Sequence, residues 1–165
     1  MPVSKNVPAG MYSGAVLQVV QATTTSQTIV STGNTNTDTA LTASITPTSS
    51  SSKVLVIISL PFIITSNSLS TYCGFGLKRN STTIYTPASD TSGAFNYGIS
   101  IGNSTTTQLD GAFNLQLLDS PASSSAVSYT VFVNLYTITG AAVRAPYNSG
   151  SAIQTGVITL MEIAA

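Results

Sequence analysis

The chain has 165 residues, five basic and five acidic side chains, no histidine and a hydrophobic fraction of 42%. This length favours a single domain with a true core, since domains run at roughly 100–150 residues. The charged fraction of 6% and the zero net charge exclude the signature of disorder, which combines low hydrophobicity with high net charge.

The first fourteen residues, Met1–Gly14, contain two prolines and two glycines but little apolar patterning. Such a segment is typical of an extended arm, and we expect it to attach the protein to a neighbour through its apolar positions. The start of the chain lacks an apolar signal core, and no segment reaches the ~20 apolar residues that cross a bilayer. We therefore expect an arm over 1–14 and one β-sandwich domain over 15–165, with no membrane partner. The arm's expected anchors are Val3, Val7, Met11 and Tyr12.

Short stretches rich in β-branched and aromatic residues then alternate with turn formers, which predicts successive strands. In several of them every second residue is apolar, the pattern of a half-buried strand. The predicted strands are Ala15–Val20, Gln27–Val30, Thr39–Ile45, Lys53–Ile64, Tyr72–Leu77, Thr82–Tyr85, Phe95–Ile101, Gly111–Leu118, Val127–Tyr136 and Gln154–Ile163.

The stretch Lys53–Ile64, KVLVIISLPFII, is the longest apolar run and lies between two polar breaks. A continuous run of this kind predicts a central strand covered on both faces. Pro61 cannot donate a ladder hydrogen bond, so it predicts a bulge or an edge at that point.

The stretch Val127–Tyr136 has an apolar residue at every odd position from 127 to 135. We expect Phe132→Ala to cost about 3–5 kcal/mol as a core truncation, and Thr130→Ala, placed on the opposite face, much less. With no convincing helix and connections too short for crossover helices, the elements predict an antiparallel jelly-roll-like β-sandwich of about 8–10 strands.

Groups that carry catalysis are sparse in this chain. Without histidine it lacks the commonest general base and metal ligand, and no serine lies in a nucleophile-elbow motif. Cys73 lies on an apolar strand face, where core filling is the ordinary role. Four acidic residues that could act as paired carboxylates are scattered along the chain, and the first three, Asp90, Asp110 and Asp119, fall in or beside predicted turns. The fourth is Glu162. We expect no enzyme, no cofactor and no metal site.

Binding partners are also restricted by composition. Lys78-Arg79 is the only adjacent basic pair, whereas nucleic-acid binding needs clustered Lys and Arg to neutralise phosphates, so no nucleic-acid partner is expected. Near-zero net charge instead promotes association.

A carbohydrate site is the remaining alternative. The loops predicted over Pro87–Gly93, Asp119–Ser125 and Gly140–Gly150 carry residue types that hold sugars, although tryptophan, the strongest stacking platform, is absent. Ordinary loop chemistry explains the same residues. They are Asp90, Arg144, Tyr147 and Asn148.

Four segments resemble a module of tailed-bacteriophage virion proteins that occurs in tail fibres, head fibres and small capsid-associated proteins. The resemblance runs from about Gly14 to the C terminus, and its motifs are structural. It implies an all-β module, commonly a homotrimer, with no enzymatic residues. The segments are AVLQVVQ at 15–21, DTALTASITP at 38–47, SSKVLV at 51–56 and FGLKRNSTTIY at 75–85.

The chain is little more than this module, without a predicted shaft or separate anchoring domain. This favours a capsid decoration, cement or head-fibre protein whose partners are itself and other virion proteins, such as the major capsid protein. The alternative is a short tail-fibre tip or adhesin that binds a host-surface glycan or receptor. Either role predicts location in the virion after synthesis in the host cytoplasm.

Overall fold

A computed structural model describes residues 13–31, 33, 35–66, 71–86, 99–101, 107–136 and 140–165. Over these residues the chain forms thirteen β-strands and no helix. The strands are β1 Val16–Thr24, β2 Thr28–Val30, β3 Thr37–Ile45, β4 Lys53–Ser66, β5 Thr71–Arg79, β6 Thr82–Tyr85, β7 Ile99–Ile101, β8 Thr107–Asp119, β9 Val127–Tyr136, β10 Ala141–Ala145, β11 Asn148–Ser149, β12 Ala152–Ile153 and β13 Gly156–Ile163.

Two antiparallel sheets pack face to face. The first sheet runs β1-β13-β4-β8, and β10 followed by β2 extends it beside the far half of β4. The second sheet runs β3-β9-β5-β6, and β7 pairs with the start of β5. If the eight principal strands are numbered in chain order, the sheets read 1-8-3-6 and 2-7-4-5. This is the wiring of a jelly roll, so the predicted fold class is confirmed.

The predicted central strand is β4, which extends two residues further than expected, to Ser66. On one side it pairs with β8 over its whole length from Val54. On the other side β13 pairs up to Ser59 and β10 from Ile63. Pro61 lies in the gap between these two partners and keeps an unbroken register with β8, so it marks a local edge and not a bulge.

Only the inner face of β4 is buried along its whole length. Every even position from Val54 to Ile64 is at most 2% exposed, whereas Leu55 and Ile57 on the outer face are partly exposed. The prediction that both faces are covered is therefore wrong for the first half of this strand. Each large inward side chain stabilises the fold by roughly 1.5–3 kcal/mol.

The alternation predicted for the second sheet is confirmed. The apolar positions of β3, β5 and β9 point into the sandwich and are buried. The turn at Asn80 and Ser81 joins β5 and β6 into a hairpin. The buried positions are Leu41, Ala43, Ile45, Cys73, Phe75, Leu77, Val127, Tyr129, Val131, Val133 and Leu135.

Phe132 is buried on the outer face of the second sheet, not in the core. It pairs with Gly76, where an added Cβ would lie 2.1 Å from Phe132 Cζ, and the Lys78 ammonium lies 5.6 Å from the ring centroid. Thr130 shares this face because both positions are even. The predicted placement of the two residues on opposite faces is therefore wrong, although the ring itself is only 1% exposed.

Aromatic rings join the two sheets in the core. Phe62 and Phe75 have ring centroids 4.8 Å apart, and Phe75 stacks on Phe113 at 5.2 Å. Gly111 leaves room for the Phe62 ring, since a Cβ added at position 111 would lie 2.7 Å from Phe62 Cζ. Offset and tilted ring pairs of this kind add about 0.5–1.5 kcal/mol beyond their buried area.

Candidate interaction surfaces

The residues expected to hold a sugar have structural contacts where the fold is described. Asp90 lies outside the described residues. Arg144 belongs to β10, not to a loop, and its Nη1 donates to Thr65 Oγ1 at 3.2 Å. The prediction of a loop over Gly140–Gly150 is thus wrong for its segment AAVRA, which forms β10 and pairs with β4 in the first sheet.

Tyr147 and Asn148 hold the connection after β10 against the first sheet. The Tyr147 backbone N–H donates to the Pro61 carbonyl at 3.3 Å. The Asn148 side chain donates to the Thr25 carbonyl and accepts from the Gln154 backbone N–H at 3.0 Å. The donor and the acceptor of this side-chain amide are therefore both hydrogen-bonded within the chain. The expected arm anchors Val3, Val7, Met11 and Tyr12 lie outside the described residues.

Asp119 joins the two sheets at the end where β8 finishes. Arg79 Nη1 donates to both of its carboxylate oxygens, at 2.8 and 3.0 Å, and the Tyr129 hydroxyl donates to it at 2.7 Å. Burial, followed by the hydrogen bond to Asp119, raises the pKa of Tyr129 well above its usual range. Asp110, by contrast, is exposed within β8, and its predicted place in or beside a turn is wrong.

Glu162 is a buried carboxylate with 0% exposure at one end of the sandwich. It accepts hydrogen bonds from Gln18 Nε2 at 2.6 Å and from the Thr48 backbone N–H and hydroxyl, both at 2.7 Å. Burial alone would raise the pKa of this group, but the bonds from Gln18, Thr48 and Ser52 outweigh it and hold the pKa below its usual value. The carboxylate therefore fastens the β3–β4 connection to β13 and β1.

Cys73 is a core residue, as predicted. It is 2% exposed, and burial raises the pKa of its thiol to about 12. The thiolate needed for nucleophilic chemistry is therefore not formed near neutral pH.

The most distinctive surface is the outer face of the first sheet. Four apolar side chains lie opposite one another across four of its strands, and we call them the apolar row. Two of them are strongly exposed, Val19 by 56% and Leu118 by 51%. The pairing of β1 with β13, of β13 with β4 and of β4 with β8 places them at one level of the sheet. The apolar row is Val19, Met161, Leu55 and Leu118.

A shallow open depression adjoins the apolar row between β4 and β8. Its outward lining is Ile57, Ser59, Asn114 and Gln116, which carry no titratable group. Among the described residues there is also no cluster of three or more potential metal ligands, and no helix long and apolar enough to cross a membrane.

Sequence reasoning missed the apolar row as a surface, although two signals for it were present. The run around Leu55 does not alternate, and Leu117-Leu118 places two large apolar residues next to each other on β8. Because successive residues of a strand point to opposite faces, one member of each such pair must face outward.

Comparisons with known proteins give distant likenesses. No family model and no curated protein matches the chain. Among solved structures, it is similar to the infectious bursal disease virus VP2 subviral particle, with 11% identity and a TM-score of 0.42 over 92% of this chain and 39% of that one. T=1 particles derived from infectious bursal virus give 13% identity and a TM-score of 0.41, over 90% of this chain and 36% of that one.

A third similar structure is dimeric latent PorU from Porphyromonas gingivalis, with 11% identity and a TM-score of 0.36 over 94% of this chain and 14% of that one. The chain thus spans less than two fifths of each of these proteins. Likenesses at this level do not bear on its function.

Proposed function

We propose that this protein is a non-enzymatic structural component of a tailed-bacteriophage virion, a capsid decoration, cement or head-fibre protein that self-associates as a trimer and docks on the particle. The observation that carries the proposal is the apolar, uncharged outer face of a jelly-roll sheet. Jelly rolls form viral capsid and lectin domains, and exposed contiguous apolar faces mark interaction sites. The sequence resemblance supplies the phage setting.

Attachment to the particle is assigned to the arm, residues 1–14. Val3, Val7, Met11 and Tyr12 supply apolar anchors along an extended path, and such a segment can add to the edge of a neighbour's sheet through main-chain hydrogen bonds. Lys5 is the only charged side chain in the arm, so docking should depend weakly on salt.

The test is to localise the protein on purified particles by electron cryomicroscopy, first for the full chain and then for a variant lacking Met1–Tyr12. Density on the capsid for the full chain, and none for the truncated chain, is the expected result. The truncated protein should melt at the same temperature as the full chain, which separates loss of docking from loss of folding. Absence of the full-length protein from particles would refute the virion role, and full decoration by the truncated protein would place attachment on the sandwich.

A tail-fibre tip or adhesin is the second candidate, because lectins share the jelly roll and because Arg144 and Tyr147 keep part of their surface exposed. Density at the tail, together with host-cell or glycan binding that Arg144→Ala and Tyr147→Ala abolish, would favour it. Ser44→Ala, an exposed change on the second sheet, serves as the control.

A further inference from the structure

The outer face of the first sheet is uncharged over most of its length. Lys53 lies at one end of this face, and Asp110 and Arg144, on either side of Ile63, lie at the other. Between these two rows, every outward side chain on β1, β13, β4 and β8 is uncharged. At the β1 edge, Val16 lies at the Lys53 level and Leu17 in the register shift that follows it, and they add apolar surface that is 52% and 48% exposed.

The outer face of the second sheet has a different character. Lys78 pairs with Asp38 there, and the Thr42 and Thr130 hydroxyls are hydrogen-bonded at 2.9 Å. Charged and hydroxyl groups of this kind are well solvated and need no partner. Among the described residues, the large apolar side chains that are strongly exposed on the strands of the two sheets all belong to the first sheet, and association through its outer face would remove apolar surface from water.

We propose that this face is where copies of the chain meet, with three copies around a threefold axis that runs along the strands. The outer faces of the three first sheets point to the axis, and their apolar rows meet at one level. The proposal rests on the self-association in the proposed function and names the surface that carries it.

The width of the sheet fits this arrangement. Four strands at ~4.8 Å spacing make a face ~19 Å wide, and three such faces form a triangle whose sides lie ~5.5 Å from its centre. In an ordinary sandwich two sheets lie ~10 Å apart, so the side chains of each sheet fill the ~5 Å between that sheet and the midplane. The distance from each face to the threefold axis is close to this value, so side chains of ordinary length would fill the space around the axis.

The edges of the sheet fit as well. All four strands lie side by side over the seven residues from Lys53 to Ser59, because β13 pairs with β4 only there, so the four-strand face is ~23 Å long and contributes ~440 Å² per copy. A threefold ring also needs two different surfaces on each copy. The first sheet offers two different edges, β1 and β8, neither of which pairs with a further strand in the described part of the chain.

Charge introduced into the apolar row tests the proposal. Val19→Glu and Leu118→Glu replace side chains that are already half exposed, so each single chain should stay folded. In sedimentation at micromolar concentration we expect the wild type at about three times its 16.9 kDa mass and both variants at one chain mass, with unchanged circular dichroism. The control Ser44→Glu adds the same charge to the exposed outer face of the second sheet and should remain a trimer.

Cross-linking tests the threefold geometry. In the proposed ring the β1 edge of one copy lies beside the β8 edge of the next, so a Val19→Cys, Leu118→Cys double variant treated with a short bismaleimide should yield covalent trimers. Each single cysteine variant should yield none. Efficient dimers from Leu118→Cys alone would show two faces related by a twofold axis and would overturn the arrangement. The buried native Cys73 should not react.

The outcomes separate this inference from the proposed function. Trimers that persist in both glutamate variants would overturn the proposed surface but leave self-association intact. A wild type that sediments as a monomer would overturn both the surface and the trimer. A protein that is absent from virions would overturn the virion role alone, whatever its oligomeric state.

Discussion

Replacing the buried carboxylate of Glu162 should give the largest pH-dependent loss of stability in this protein. Glu162→Gln keeps the size of the side chain but removes the charge and one of the two acceptor oxygens. The new side-chain NH2 group would face the N–H groups of Gln18 and Thr48, which are themselves donors, so these groups could not bond to one another. Hydrogen bonds to charged groups contribute ~1.5–3 kcal/mol, and a buried group left without a partner costs about 1–3 kcal/mol. We expect a loss of about 2–4 kcal/mol at pH 7.

The sign of the pH dependence follows from the lowered pKa of Glu162 in the folded state. Its carboxylate contributes full stability above the unfolded value of ~4.3, and this contribution is lost as the pH falls through the lower folded value. The difference between wild type and Glu162→Gln should therefore be constant from pH 7 to about 5 and should shrink below about 4.

Urea unfolding followed at several pH values measures this difference, and thermal melting at pH 7 should show a decrease of roughly 5–15 °C. Asp110→Asn makes the same chemical change at an exposed strand position and should shift the free energy of unfolding by less than about 0.5 kcal/mol. The assignment of Glu162 as a charged, hydrogen-bonded residue would be refuted if wild type and Glu162→Gln had the same free energy of unfolding at pH 7. It would also be refuted if their difference kept its size down to pH 3.

Two further predictions follow from buried side chains. Phe132→Ala should lower the free energy of unfolding by about 3–5 kcal/mol in urea. Gly76→Ala should also destabilise, because its Cβ would overlap the Phe132 ring. If this overlap is the cause, the double variant should lose less free energy of unfolding than the sum of the two single losses. Cys73 should react with a thiol reagent only as fast as the protein unfolds, since it is buried with a pKa raised to about 12, and rapid labelling of the native protein would show that it is accessible.

The alternating strands could be predicted because one face of each is polar. In β3 and β9 the serines and threonines on the solvated face make the period of two visible, so the buried positions follow directly. In β4 the outer face is also apolar over several residues, and the pattern no longer distinguishes a covered face from an exposed one. Strand β10 is not predicted because its five residues, three of them alanine, lie between a glycine and a proline and show too short an alternation of apolar and polar residues.

Other features depend on pairings that a single sequence does not contain. Phe132 is buried on an outer face because Gly76 lies opposite it, and this pairing depends on the register of two strands that are far apart in the chain. The donors to Glu162 likewise come from Gln18 and Thr48, which lie 144 and 114 positions away. Until the fold brings these residues together, Glu162 is one acidic residue among several.

The charged side chains of the described residues lie away from the middle of the first sheet's outer face, the surface that the proposed trimer would use. Asp119 is paired with Arg79 and Asp38 with Lys78, so these charges hold strands together within one chain. With zero net charge, one copy exerts little long-range repulsion on the next. The apolar row lies at one end of the face, at the level next to Lys53, so in the proposed trimer its contacts would form only when the copies are aligned at the same height. The position of this row along the strands, and not a pattern of charges, would therefore set the register of the trimer.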